Sequence, residues 1–262
     1  MFLFKRKIKK IGLVLGGGGA KGFFHIGVIN ALKEKNIKIE EVSGTSIGAI
    51  IGAIYCSNPQ IDFNKILGEL NLLKILSNIE FSDKKTVTNL VNFLRTFIKA
   101  DNFSDLKIPL SFNATDINTG EEIIFRKGPI FPALISSMAI PGIFPPVEID
   151  GRYLSDGGII DNTPIKLINN KKYILLSNLD MSLSKIDKND RISVLKNTIK
   201  IMQRKESIED IQYFRKMRRV KLLSLNPDIK INSLDFRKKN YRELINYGYQ
   251  LTLEKLEKER FV

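Results

Sequence analysis

IGLVLGGGGAKGFFHIGVINALKEKNIKIEEVSGTSIGAIIGAIY, residues Ile11 to Tyr55, carries the pattern that decides the fold. Ile11–Leu15 is a short apolar run that stops at four glycines, as a strand buried on both faces does. Phe23, Ile26, Val28, Ile29 and Leu32 then recur at helical spacing from Gly22 to Lys35. Ile37–Val42 reads as a second strand, Ser43-Gly44-Thr45 as a turn, and Ser46–Tyr55 as a second helix. Two strand–turn–helix units in succession predict an α/β layered fold on a mainly parallel sheet.

Outward from that stretch, Leu110–Thr115 and Glu122–Phe125 read as strands around the turn Asn118-Thr119-Gly120. Prolines 129, 132, 141, 145 and 146 cut the following segment into short pieces. Tyr173–Ser177 and Leu222–Leu225 are further strand candidates, and the rest to Val262 is mostly helical and charged. Residues 61–100 read as helical. Within them Val87, Leu90, Val91, Leu94, Phe97 and Ile98 form an apolar stripe. Such a stripe normally packs on a core; a lid or lipid-facing surface is the sharper alternative.

The chain has 262 residues, 43% apolar and 27% charged, which excludes wholesale disorder. One cysteine, Cys56, excludes an internal disulfide, and with one histidine, His25, it excludes a zinc site built from several such ligands. The net charge of +14 is uneven. Residues 1–10 hold five bases and no acid, residues 11–170 are near neutral, and residues 171–262 carry 22 bases against 12 acids. Basic ends suit an anionic membrane surface, although solvated surface helices explain them as simply. No motif for nucleic acid accompanies them. No stretch reaches the roughly 18–20 apolar residues of a membrane span. Met1–Ala20 makes a poor signal peptide, because its apolar part is short, half glycine and followed by Lys21. The expectation is a cytoplasmic protein, with peripheral contact at the inner membrane face as the further option. Its expected parts are a basic segment 1–10, a catalytic core 11–170 and a helical part 171–262 completing the same domain.

Three elements carry chemistry. Gly44-Thr45-Ser46-Ile47-Gly48 is a G-x-S-x-G between strand and helix, where a nucleophile elbow belongs. A serine nucleophile needs a base, and His25 precedes Ser46 by 21 residues, against the order of an α/β-hydrolase triad. His25 therefore reads as structural, beside the glycine loop. Asp156, in Tyr153-Leu154-Ser155-Asp156-Gly157-Gly158, supplies a carboxylate at a turn; on its own it would read as an ordinary Asp-Gly turn. Gly17–Gly22 matches G-x-G-x-x-G, which serves either as an oxyanion hole or as a dinucleotide site with Glu40 or Glu41 on the ribose. A dinucleotide site leaves Ser46 and Asp156 without a role; acyl transfer employs all three elements.

With GGGAKG at Gly17–Gly22, GTSIG at Gly44–Gly48 and DGG at Asp156–Gly158, the chain resembles the bacterial patatin-like phospholipases. The stretch Ser136–Ile165 also resembles that family's approach to its aspartate, and the likeness covers about residues 11–170. It implies a three-layer α/β/α patatin-like fold, distinct from the α/β-hydrolase order. It implies Ser46 as nucleophile, Asp156 as base, backbone N–H groups of Gly17, Gly18 and Gly19 as oxyanion donors, Lys21 and Gly22 as loop support, and Gly44 and Gly48 as elbow glycines. The implied activity is acyl release from a phospholipid or other lipid ester without metal or cofactor. The alternative is a dinucleotide-binding or non-catalytic regulatory module. Lipid class, positional preference and oligomeric state are not in the sequence.

Overall fold

The computed structural model describes residues 10–63, 84–142, 144–169, 172–179, 183, 189–232, 235 and 237–261. The strands are β1 (Lys10–Leu15), β2 (Lys38–Gly44), β3 (Leu110–Asp116), β4 (Glu122–Phe125), β5 (Val147–Ile149), β6 (Arg152–Asp156), β7 (Tyr173–Ser177) and β8 (Lys221–Leu225). The helices are α1 (Phe23–Glu34), α2 (Ile47–Ser57), α3 (Lys84–Phe97), α4 (Ile130–Ser137), α5 (Arg191–Lys216) and α6 (Lys238–Lys258). The strands form one sheet in the order β5-β6-β3-β2-β1-β7-β8, with β4 also on β3. Pairings among β3, β2, β1, β7 and β8 are parallel, and those of β4, β5 and β6 are antiparallel.

The two faces of the sheet are visible in the period-2 alternation of its strands. Leu13 and Leu15 of β1, Leu175 of β7 and Leu223 and Leu225 of β8 join α1, α2 and α6 in one buried cluster. Val14, Ile174, Leu176 and Leu222 point the other way and pack with Ile165, Ile168 and with Ile211 and Phe214 of α5. Helices therefore cover both faces, giving three layers.

Leu90, Leu94, Phe97 and Ile98 are buried in the core, the ordinary reading of their stripe, so that side of α3 is committed to packing and the lipid-facing alternative falls away. Val87's side chain and residues 64–83, the first part of the segment read as helical, lie outside the described residues. The proline-broken segment holds α4 and also an antiparallel hairpin, β5–β6, turned by Asp150 and Gly151 at positive φ. No helix among the described residues is long and apolar enough to cross a membrane.

Helix α6 lies along α1 at very short range. Gly27 permits it: a Cβ there would sit 2.0 Å from Ile245 O. Gly248 does the same from the other side, since its Cβ would sit 2.2 Å from Phe24 O. Phe23 stacks on Tyr241 at 3.9 Å, and Phe24 meets Tyr247 edge-on. Backbone on both sides leaves nothing that can yield, so Gly27→Val or Gly248→Val should lower stability by about 3 kcal/mol. Gly52→Ala faces only side-chain methyls at 3.1 and 3.2 Å and should change it far less. Urea midpoints of the three variants test this; equal, small effects would refute the close approach.

Candidate active site

The site forms where strands end. β4 runs along one edge of β3 from Phe112 to Thr115. The other edge is shared. β2 occupies it up to the pair Gly44↔Phe112, and β6 occupies it beyond, from Ala114↔Asp156 to Asp116↔Leu154. The last residue of β2 and the last residue of β6 are thus two β3 positions apart, and they arrive from opposite directions.

After Gly44 the chain turns sharply. Ser46 has φ 55° and ψ −122°, a backbone conformation strained for a residue with a Cβ. The turn is held from three sides. Thr45 N donates to Leu15 O at 3.1 Å, Ser46 N donates to Ser137 Oγ at 3.1 Å, and the Thr45 hydroxyl lies 2.8 Å from Asn113 Oδ1 and 3.0 Å from Asp161 O. Gly44 and Gly48 are required by space: Cβ atoms there would lie 2.6 Å from Gly48 C and 1.9 Å from Leu15 O. The N-terminus of α2 follows at once, so its partial positive charge faces the serine.

Ser46 Oγ donates to Asp156 Oδ2 at 2.7 Å. Asp156 Oδ1 accepts from Gly158 N at 2.8 Å. The aspartate backbone is pinned as well, its N–H to Ala139 O at 2.9 Å and its carbonyl to Thr115 Oγ1 at 3.1 Å. Burial pushes the Asp156 carboxyl up to about 6, against the opposing pull of the Ser46 and Gly158 hydrogen bonds. It is ionised at neutral pH and more basic than an ordinary aspartate, which suits proton acceptance.

The glycine loop lies beside this pair. A Cβ on Gly17 would come 3.5 Å from Ser46 Cβ and 2.3 Å from Asn162 Oδ1. Gly19 has φ 57°, which turns the loop into α1. Gly22 abuts Ile47, whose side chain a Cβ would meet at 2.2 Å. Lys21 is buried and its N–H donates to Gly18 O. One expectation is corrected here: the Gly17 N–H already donates to Asn162 O at 3.0 Å, so it is not free for an oxyanion.

His25 is 21 residues upstream in sequence and serves the loop from behind. Its Nε2 bonds Gly16 O and its Nδ1 bonds Ser177 Oγ, both at 2.8 Å. A carbonyl only accepts, so Nε2 carries the proton and Nδ1 accepts from the hydroxyl. Burial lowers this imidazole to about 4, which keeps it neutral. The acidic residue needed by a dinucleotide reading is engaged elsewhere: Glu41 accepts from Asn169 N and Nδ2 at 2.8 and 2.6 Å, and Glu40 pairs with Lys10.

Several site residues escaped the sequence reading. Asn113, buried in β3, accepts from Thr45 and donates to Asp161 O and to Glu122 Oε1. Its signal is an amide inside a strand that is otherwise buried. Asn162 Nδ2 reaches Gly17 O at 3.4 Å. Helix α5 contributes Gln203, whose Nε2 donates to Gly158 O at 2.6 Å, and Ser207, whose Oγ lies 3.1 Å from Thr163 Oγ1. With Asp210, these lie at i, i+4 and i+7, a polar stripe on one helix face. Asp161, Glu206 and Asp210 form the one group of carboxylates among the described residues close enough to share a cation. The Lys166 ammonium, 3.0 Å from Asp210, sets one positive charge beside this group, and burial still raises the carboxyl of Asp161 to about 7 and that of Glu206 to about 8.

Residues 13–168, more than half the chain, match the family described as patatin-like phospholipase. An NTE family protein of Mycobacterium bovis is 35% identical over 160 residues, which are 60% of this chain and 44% of that protein. Lysophospholipase NTE1 of Cryptococcus neoformans var. neoformans is 34% identical over 169 residues, 60% of this chain and 10% of that protein. The chain thus spans less than half the length of these relatives. Among solved structures, VipD from Legionella pneumophila superposes with TM-score 0.52 at 16% identity, covering 95% of this chain and 67% of VipD. The type III effector ExoU superposes with TM-score 0.51 at 17% identity, covering 95% and 53%. At these identities the likeness speaks for fold alone.

The raised Asp156 carboxyl makes a stability prediction. Above pH 6 the folded state holds a buried charge that the unfolded chain, with an ordinary aspartate near 4, carries in water. That costs the folded state about 3 kcal/mol. Below about pH 4 both states are protonated and the penalty vanishes. Asp156→Asn should therefore be more stable than wild type at pH 8, with the gain shrinking as pH falls through 6 and absent by 4. Urea unfolding at the three pH values checks it, and a pH-independent difference would exclude this cause.

Proposed function

The chain belongs to the patatin-like phospholipase family, and from that membership and the Ser46–Asp156 contact we propose that it is a lipid acyl hydrolase working through a Ser–Asp dyad. The observation that carries the proposal is the 2.7 Å hydrogen bond from Ser46 Oγ to a buried carboxylate, in a chain whose single histidine is engaged elsewhere. The substrate class is a phospholipid, lysophospholipid or related lipid ester. Residues 171–262 complete the same domain: β7 and β8 extend the sheet and α6 closes the core over α1.

In the proposed cycle Ser46 Oγ attacks the ester carbonyl carbon while Asp156 takes the hydroxyl proton. The N–H groups of Gly18 and Gly19, with the α2 N-terminus behind Ser46, meet the negative charge that grows on the carbonyl oxygen. Collapse breaks the ester C–O bond, Asp156 returns the proton to the departing alcohol, and an acyl-serine remains. Water then attacks the acyl carbon and gives a proton to Asp156. The second collapse releases the fatty acid and returns that proton to Ser46 Oγ. Asp156 is both base and acid, and a carboxyl near 6 exchanges protons in each direction more readily than one near 4. Gly158 N fixes the oxygen that Ser46 does not use, so the accepting lone pair is aimed. The strained Ser46 backbone holds the hydroxyl clear of the sheet.

Ser46→Ala and Asp156→Asn should each reduce lipid ester turnover by about a thousandfold or more, with unchanged circular dichroism. A fluorophosphonate probe should label the Ser46 peptide of wild type and leave Ser46→Ala unlabelled. Wild-type turnover should fall on the acid side as pH drops below about 6, where Asp156 becomes protonated. Near-normal turnover in Asp156→Asn would remove the dyad from the proposal.

A further inference from the structure

Helix α5 and the loop after Asp156 meet over a group of acids. Asp161 stands in the loop, and Glu206 and Asp210 are one turn apart on α5, at i and i+4. One carboxylate oxygen of each lies within 4.8 Å of the other two. Asp161 is 2% exposed and Asp210 8%, while Glu206 is partly buried. Asp161 Oδ1 accepts from Thr163 N at 2.9 Å. Its Oδ2 is buried and has no hydrogen-bond partner among the described residues. A carboxylate oxygen in that position is costly unless something positive meets it. Glu122 on β4 adds a further negative charge nearby. The opposing charge comes from Lys166, which pairs with Asp210 and whose side chain is 52% exposed. Three ionised carboxylates and one ammonium leave two negative charges in excess, the charge that a divalent cation balances.

We propose that Asp161, Glu206 and Asp210 bind a divalent cation of the hard, oxygen-preferring kind, with Ca²⁺ or Mn²⁺ favoured over Mg²⁺. The three donors are all carboxylates, and no nitrogen or sulfur ligand joins them. Oxygens bond Ca²⁺ at about 2.3–2.6 Å, so ligands on opposite sides of one ion stand about 5 Å apart. Carboxylate oxygens within 4.8 Å of one another therefore fit a single coordination shell. Mg²⁺ demands a tighter, near-octahedral set at about 2.0–2.1 Å, which a loop and a helix meeting by side chains suit less well. The exposed side of Glu206 admits water to the remaining positions, and half-exposed Lys166 can turn its ammonium into solvent as the cation enters. The cation is a clamp and takes no part in acyl transfer. Asp161 O accepts from Thr45 Oγ1 and Asn113 Nδ2, and Asp161 N donates to Gly157 O. Gln203, on the turn of α5 before Glu206, donates to Gly158 O. An ion held by the loop and by α5 fastens the helix to the turn that carries Asp156. The inference does not rest on the hydrolase reading.

The test uses the full chain, stripped with a chelator and titrated calorimetrically with calcium, manganese and magnesium chloride. The expected result is one Ca²⁺ or Mn²⁺ bound per chain, with Mg²⁺ weaker. The bound ion should raise the melting temperature and slow amide hydrogen exchange across Gly157–Thr163. Glu206→Gln and Asp210→Asn should each weaken binding about tenfold or more, since affinity follows the ligand charge. Lys166→Met removes the competing ammonium and should tighten binding about tenfold. Should Asp210→Asn fail to fold, Glu206→Gln, at the partly exposed ligand, still decides the matter. Ser46→Ala should bind the cation as wild type does, so the result stands apart from whether any lipid ester is turned over. Absence of binding at millimolar cation overturns the proposal. Binding unchanged in both carboxylate variants overturns it too, because the ions then sit on other surface acids. Binding confined to Lys166→Met would assign the place to the lysine ammonium in the native chain and likewise end the proposal.

Discussion

The free edge of β3 is the constraint on which the rest of the molecule depends. A parallel neighbour, β2, must leave that edge at Phe112 for an antiparallel neighbour, β6, to take it up at Ala114. A β2 longer by two residues would claim the hydrogen bonds that β6 uses, and Asp156 would have no place beside Ser46. The sharp turn at Ser46 is what ends β2 on time. Its strained φ is held in place by Leu15 O, Ser137 Oγ and the Asn113 amide, which come from three different elements. Strain at one residue thus terminates a strand, frees an edge and lifts a hydroxyl toward its partner.

A buried carboxylate and a strained backbone are both unfavourable for folding, so the surroundings must compensate. Asn113 ties the elbow, the Asp161 carbonyl and β4 together with one side chain. Asn162 closes the glycine loop onto the far side of the aspartate turn, through its own carbonyl to Gly17 N and its amide to Gly17 O. His25 fixes Gly16 to the end of β7 as a neutral donor and acceptor. These groups sit at strand ends, where backbone N–H and C=O groups leave the ladder and need other partners. The candidate site is assembled from the terminations of β1, β2, β6 and β7.

Helix α5 joins this centre to the molecular surface. Its polar face satisfies the carbonyl of Gly158 and the hydroxyl of Thr163, and its outward face leaves leucine, isoleucine and methionine in solvent. Such an arrangement inverts the usual amphipathic rule, under which the apolar stripe of a helix seeks the core. The inversion is local. Further along, Ile211 and Phe214 return to packing on the sheet.

The sequence by itself determined the alternation of strands and helices from Ile11 to Tyr55 and the three glycine-bearing turns. Apolar periodicity and glycine placement report local backbone states, and local states are written residue by residue. It also spoke against a triad of the α/β-hydrolase order, because the one histidine, His25, precedes Ser46. Tertiary structure decided which groups meet. Whether Gly17 is a free donor depends on Asn162, some 145 positions away, and whether Ser46 meets a carboxylate depends on which strand takes the edge of β3. It likewise decided that the apolar stripe of α3 is core while that of α5 is surface. Both stripes obey one helical period, and the period of a pattern says nothing about which side of a helix finds a neighbour.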